Sequence, residues 1–241
     1  MENSEFFLRG IDVSEWQGEI NWKKVAESGI DFAMIRATHG LKRDVYFERN
    51  IRGAFEAGIA VGVYCCSYAL DEESIEAEAA YFVATIKPWK QIITYPAVLD
   101  AESDKQFQLG RKTVTAMMLK FCEMVEDGGY VPMVYTNSNW LNNVIDKNAL
   151  ANEGIDIWVS WPKNVTTFEE KGADGVTKHE HTMWQFTDKG KVNGIAGPVD
   201  LNVAYIDYAA FLEMENESEK YITWSEVAAI LEERGVKGII L

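Results

Sequence analysis

The stretch Tyr95-Pro-Ala-Val-Leu-Asp100-Ala-Glu102 reads as a buried strand that closes on two acids. Its apolar run is of strand length, and its proline sits near the start, where a strand tolerates one. Side chains alternate faces along a strand, so Asp100 and Glu102 point the same way, with α-carbons roughly 6.5 to 7 Å apart. The negative charge of Asp100 is expected to raise the pKa of Glu102 and to hold it protonated near neutral pH. The plainer alternative is that Asp100 starts a turn and Glu102 is a solvated residue of a helix start.

Strand-like and helix-like segments alternate along most of the chain, the pattern of a sheet with crossover helices. Strands are predicted over residues 10–14, 31–37, 59–68, 95–102, 131–136, 156–161, 182–187 and 199–202, and helices over 21–28, 47–57, 72–86 and 113–127. Residues 162–181 lack helical periodicity. The fold class that follows is α/β, an irregular (β/α)8-type barrel with some of its helices missing.

A barrel carries its reactive groups at the C-terminal ends of its strands. Four acids are expected there: Asp12 on the first strand, Asp100 and Glu102 on the fourth, and Asp200 on the last. Tyr64, Tyr68, Tyr135, Trp158, Trp161 and Trp184 lie near the ends of the strands between them. Cleaving a glycosidic bond needs one protonated carboxyl to donate to the leaving oxygen, and negative charge to stabilise an oxocarbenium-like state. Flat aromatic faces stack on sugar rings. Each residue also has an ordinary alternative: Asp12 as a helix N-cap, Asp200 as a turn residue, the aromatics as barrel filling.

Length and composition agree with one large core, since the chain has 241 residues of which 47% are hydrophobic. A formal net charge of −15 argues against nucleic acid as a partner, because phosphate binding needs clustered Lys and Arg. No apolar run reaches the roughly 18 residues of a bilayer span, so membrane insertion is not expected. The first residues, Met-Glu-Asn-Ser-Glu, do not read as a signal peptide. Cys65, Cys66 and Cys122 have neither disulfide-framework nor zinc spacing and are expected to be buried reduced thiols. His39, His179 and His181 are scattered and are assigned surface or supporting positions. No metal site is expected.

Beyond residue 212 the character changes. Residues 213–220 are an acidic stretch that reads as a linker. Residues 221–241 read as a helix with Val227, Ile230 and Leu231 on its apolar face, followed by a short strand. So short a piece cannot hold a core of its own. It is expected to dock on the outside of a catalytic barrel spanning 1–212, or across a partner in a homodimer.

Seven segments taken together resemble the glycoside hydrolase family 25 lysozymes, the Chalaropsis-type muramidases. They are Gly10-Ile-Asp-Val-Ser-Glu-Trp-Gln-Gly18, Ile20-Asn-Trp22, Gly29-Ile-Asp-Phe-Ala-Met-Ile-Arg-Ala-Thr38, Ala57-Gly-Ile-Ala-Val-Gly-Val-Tyr64, Asp100-Ala-Glu102, Met183-Trp-Gln-Phe186 and Val199-Asp-Leu-Asn202. The resemblance implies hydrolysis of the bond between N-acetylmuramic acid and N-acetylglucosamine in bacterial peptidoglycan, without a cofactor, as in phage endolysins or secreted wall enzymes. Glu102 matches the family's general acid, and Asp12, Asp100 and Asp200 match its other active-site acids. Tyr64, Tyr135, Trp158, Trp184 and Gln185 are the substrate-binding residues expected with them. The family mechanism is described as substrate-assisted, and inversion versus retention stays open. Tyr64-Cys65-Cys66-Ser67 departs from the family, many of whose members have Tyr-His and an aromatic there.

Two other functions fit a ring of acids. Four carboxylates could hold Mg²⁺ or Ca²⁺ for a phosphodiesterase, which commonly adds histidine and phosphate-binding cations. Near the strand ends only Arg36 and His39 answer that description. A wall-binding module without chemistry would not need all four acids.

Overall fold

The computed structural model describes residues 7–172 and 180–212. His179 and the linker and tail expected over 213–241 lie outside the described residues. The chain divides into two units, Met1–Ile206 and Asp207–Leu241. In the second, residues 207–212 begin a helical turn in which the Asp207 carboxylate accepts the Ala210 N–H at 3.1 Å.

The first unit is a closed barrel. Its strands are β1 (Leu8–Val13), β2 (Phe32–His39), β3 (Lys42–Arg43), β4 (Ala60–Cys66), β5 (Ile93–Asp100), β6 (Pro132–Asn137), β7 (Asp156–Ser160), β8 (Met183–Gly190) and β9 (Val199–Ala204). The two-residue β3 only folds back on the end of β2; the other eight form the wall, in the order β1-β2-β4-β5-β6-β7-β8-β9 and back to β1. β1 through β8 run parallel around the wall, whereas β9 is antiparallel to both of its neighbours. This corrects the expectation for Asp200. It stands at the start of its strand, not the end, and the reversed direction of β9 brings it to the same mouth, opposite Asp12 in register.

The helices are α1 (Trp22–Glu27), α2 (Phe47–Glu56), α3 (Glu72–Ile86), α4 (Asp104–Phe107), α5 (Gly110–Asp127), α6 (Ser138–Asn143) and α7 (Lys147–Asn152). Four of them fall where the apolar period predicts, α5 starting three residues early. The unpredicted α4, α6 and α7 have four to six residues, too few for a period to register. Side-chain caps begin them instead: Ser103 with Gln106, Asn137, and Asp146. Among the described residues no helix joins β7 to β8 or β8 to β9. No helix among the described residues is long and apolar enough to cross a membrane.

Strand alternation splits the core into two layers. Inside the wall, Phe32 stacks on Tyr95 with ring centroids 4.8 Å apart, and glycines on the neighbouring strands leave room for these rings. A methyl on Gly10 would lie 2.1 Å from the Phe32 ring, and one on Gly62 would press on Met34 and Tyr95. Outside the wall, Ile35, Val63, Leu99 and Val134 join Ile51, Phe82 and Phe121 of the helices in a second apolar layer. Cys65 and Cys122 belong to that outer layer as free thiols; Cys66, facing the other way, is only half buried. His181, expected at a surface or supporting position, is buried with its ring against Tyr205. The inner layer tolerates no added volume, so Gly10→Ala should cost about 1–3 kcal/mol in urea unfolding. Gly197→Ala, whose methyl would meet open space, should stay within about 0.5 kcal/mol. Equal stability of the two variants would contradict the packing described.

Candidate active site

Asp12, Tyr64, Asp100, Glu102, Tyr135, Trp158, Gln185 and Asp200 line one cleft of about 360 Å³ at the barrel mouth, with Ser160, Pro162 and Asp188. All four acids read from the sequence therefore meet. Asp12 and Asp100 are buried, Asp200 is half buried, and Glu102, two residues past the end of β5, is the most open. The N-cap of the turn after β1 is Ser14, which leaves the Asp12 side chain free to face the cleft.

Asp12 is held by two amides. Gln185 Nε2 and Asn202 Nδ2 both donate to its Oδ2, at 2.9 and 2.8 Å. Each amide is itself oriented from behind: Tyr135 Oη donates to Gln185 Oε1 at 2.9 Å, and Trp158 Nε1 donates to Asn202 Oδ1 at 2.9 Å. With both amide oxygens so engaged, both NH₂ groups must point at Asp12. Asn202, Ser160 and Asp188 were not among the expected site residues. The signal for Asn202 lay in the period of two, which puts it on the same face of β9 as Asp200.

Burial dominates the electrostatics. It pushes the Asp12 carboxyl up to about 6, against the pull of the Asn202 and Gln185 donors, with Asp200 hydrogen-bonded beside it and Glu102 adding repulsion. Burial, then the Asp12 charge, pushes Asp200 up to about 8. Asp100 is held well above the usual carboxylate range by burial and then by Glu102 and Asp12, while Cys66 and Arg36 oppose the rise. Glu102 is raised as well, by burial, with an Asn137 hydrogen bond opposing. The sequence reading put the cause of that rise in the charge of Asp100. In the structure the repulsion is felt chiefly by the more deeply buried Asp100.

Two aromatic assignments change. Trp184 alternates with Gln185 and therefore faces out of the barrel, wholly buried, with its indole N–H on the Trp161 carbonyl at 3.2 Å. Trp158 reaches the cleft but is 2% exposed, its ring covered by the rings of Tyr64 and Tyr135. Both rings are buried. The exposed rings near the strand ends are Tyr68 at 57% and Trp161 at 38%, joined by Trp16 at 80% from the turn after β1. Among the described residues no group of three or more His, Cys, Asp or Glu is disposed to hold a metal ion.

Residues 11–195 match the model of the glycosyl hydrolases family 25. The chain is similar to Lysozyme M1 of Streptomyces globisporus, with 30% identity over 220 residues, 88% of this chain and 72% of that one. An uncharacterized protein of Escherichia coli K12, YegX, is 32% identical over 207 residues, 83% of this chain and 70% of that one. The crystal structure of the bacterial lysozyme from Streptomyces coelicolor superimposes with a TM-score of 0.72 at 27% identity, covering 87% of this chain and 97% of that one. The family match spans β1 to β8 and takes in three of the four acids that meet in the cleft, so this chain belongs to the glycosyl hydrolases family 25.

Proposed function

We propose that the protein is a muramidase that hydrolyses the β-1,4 bond between N-acetylmuramic acid and N-acetylglucosamine in bacterial peptidoglycan, with Glu102 as proton donor. The observation that carries this reading is the single cleft in which Asp12, Asp100, Glu102 and Asp200 converge with raised proton affinities. A glycosidic oxygen must be protonated as its bond breaks, and a carboxyl that keeps its proton near neutral pH can supply it. Glu102 suits that task as the acid most open to the cleft. A glycan entering from solvent meets it first.

Asp12 and Asp200 sit side by side on β1 and β9 and together bind about one proton near neutrality, judged from values of about 6 and 8. An ionised Asp12, fixed by Gln185 and Asn202, supplies negative charge where the sugar ring becomes cationic, or orients the substrate's N-acetyl group. Tyr68, Trp161 and Trp16 offer exposed ring faces for the flanking sugars. The place of action is the bacterial wall.

Replacing Glu102 by Gln removes the proton and keeps the shape. Turnover on purified walls should fall by about 10²–10⁴-fold, with thermal unfolding unchanged. Wall lysis close to that of the unaltered protein would remove Glu102 from this role.

Asp200 couples activity to stability. Its folded-state pKa of about 8 lies above the unaltered 3.8, so the stability it contributes is present below pH 4 and is lost as the pH rises toward 8. Asp200→Asn cannot ionise. The variant should therefore melt higher than the unaltered protein at pH 8, about equally at pH 4, and should turn over more slowly while binding substrate with little change. A lower melting temperature at pH 8 would show that the Asp200 charge stabilises the fold.

A further inference from the structure

Arg36 takes no part in the reaction described above, yet it is the only buried arginine or lysine among the described residues. It follows Phe32 and Met34 at a spacing of two on β2, so it lies on the inner face of the wall, level in register with Tyr64. Its Nε donates to Asp44 Oδ2 at 2.8 Å, and its Nη2 donates to Glu15 Oε1 at 2.8 Å. The same Asp44 oxygen accepts the Glu15 N–H at 3.0 Å, and Oδ1 accepts the Tyr46 N–H at 2.8 Å. Glu15 belongs to the turn that leaves β1 three residues after Asp12. The guanidinium therefore fastens that turn to the segment beyond β3.

Burial opposes the charge of Arg36, but Tyr64, Asp44 and Glu15 outweigh it, and the side chain remains a cation. Its charge is felt by Asp100 and Cys66 as well as by Tyr64, all on the inner faces of β4 and β5. Asp100 has a buried Oδ1 with no hydrogen-bond partner among the described residues, and it faces the charges of Glu102 and Asp12. A carboxylate in that position depends on distant positive charge more than a well-bonded one does.

We propose that Arg36 is a positioning residue of the active site: it fixes the turn behind Asp12 through Glu15 and Asp44, and it presents a buried positive charge to the same interior as Asp100. The kinetic side of this inference rests on the muramidase reading, whereas the titration below does not need activity.

Two substitutions separate the roles. Arg36→Lys keeps a positive charge but not the planar fork that reaches both anions; Arg36→Met removes the charge. The readout is the titration of carbon-13-labelled aspartate carboxyls by NMR on the full chain, alongside the melting temperature and the pH profile of kcat/KM on walls. Loss of an opposing charge raises a carboxylate pKa. In Arg36→Met, Asp100 should titrate higher by about one pH unit, and the acidic limb of kcat/KM should move the same way. In Arg36→Lys the titration should stay near that of the unaltered protein while the melting temperature falls. If both variants melt lower and Asp100 titrates unchanged in both, Arg36 is structural only and the inference is overturned. Should Arg36→Met fail to fold, Asp44→Asn decides the matter: it removes an anion that offsets Arg36, so Asp100 should titrate lower, and an unmoved titration overturns the inference. An unaltered protein that titrates as described but releases nothing from walls would instead defeat the muramidase reading.

Discussion

Four carboxyl groups share one poorly solvated mouth, and they cannot all be ionised together. A carboxylate loses hydration on burial and is repelled by its neighbours, so protons that bulk water would remove near pH 4 are kept. This constraint reaches well beyond the acids. The structure must bring like charges together against their repulsion while leaving one of them, Glu102, open to solvent. It must also prevent the cluster from relaxing outward into solvent, which would relieve the repulsion and abolish the raised proton affinities.

The barrel meets these demands with few parts. Seven strands in parallel would place their acids at one end only if every acid followed its strand. By running β9 backwards, the chain brings Asp200 to the mouth at the beginning of a strand and sets it against Asp12 in a directly paired register. The inner layer of Gly10, Phe32, Gly62 and Tyr95 fills the floor below, and glycine at two points lets the aromatic rings occupy the narrow interior. Above that floor, Tyr135 and Trp158 spend their polar atoms on the amides of Gln185 and Asn202, and those amides face Asp12. Each layer orients the one nearer the mouth. Arg36, clamped by Asp44 and Glu15, closes the same arrangement from the β2 side.

Much of this was legible in the residues. The alternation of apolar runs with helical periods placed every wall strand, and the pair Asp100 and Glu102 was found for the right mouth, although the strand expected to reach Glu102 ends at Asp100 and Glu102 follows in the connection to α4. What a single chain cannot display is which way a short strand runs, and Val199–Ala204 reads the same in either direction. Hence Asp200 was found for the right mouth with the wrong strand polarity. Trp158 and Trp184 show a related limit. An aromatic near a strand end has two uses, sugar or core, and parity decides only once a neighbour is known to face the cleft. With Gln185 pointing in, Trp184 must point out. The origin of the raised Glu102 was hidden for another reason, since burial is a property of everything packed around a residue and not of its spacing from Asp100.

The chemistry expected of a family 25 glycosyl hydrolase is hydrolysis of a glycosidic bond. It is tested most directly by digesting a defined peptidoglycan in water carrying heavy oxygen and reading the released fragments by mass spectrometry. The prediction is that new ends are reducing N-acetylmuramic acid with one heavy oxygen at the anomeric carbon. Fragments ending in N-acetylglucosamine, an anhydro sugar formed without water, or peptides released with the glycan intact would each contradict it.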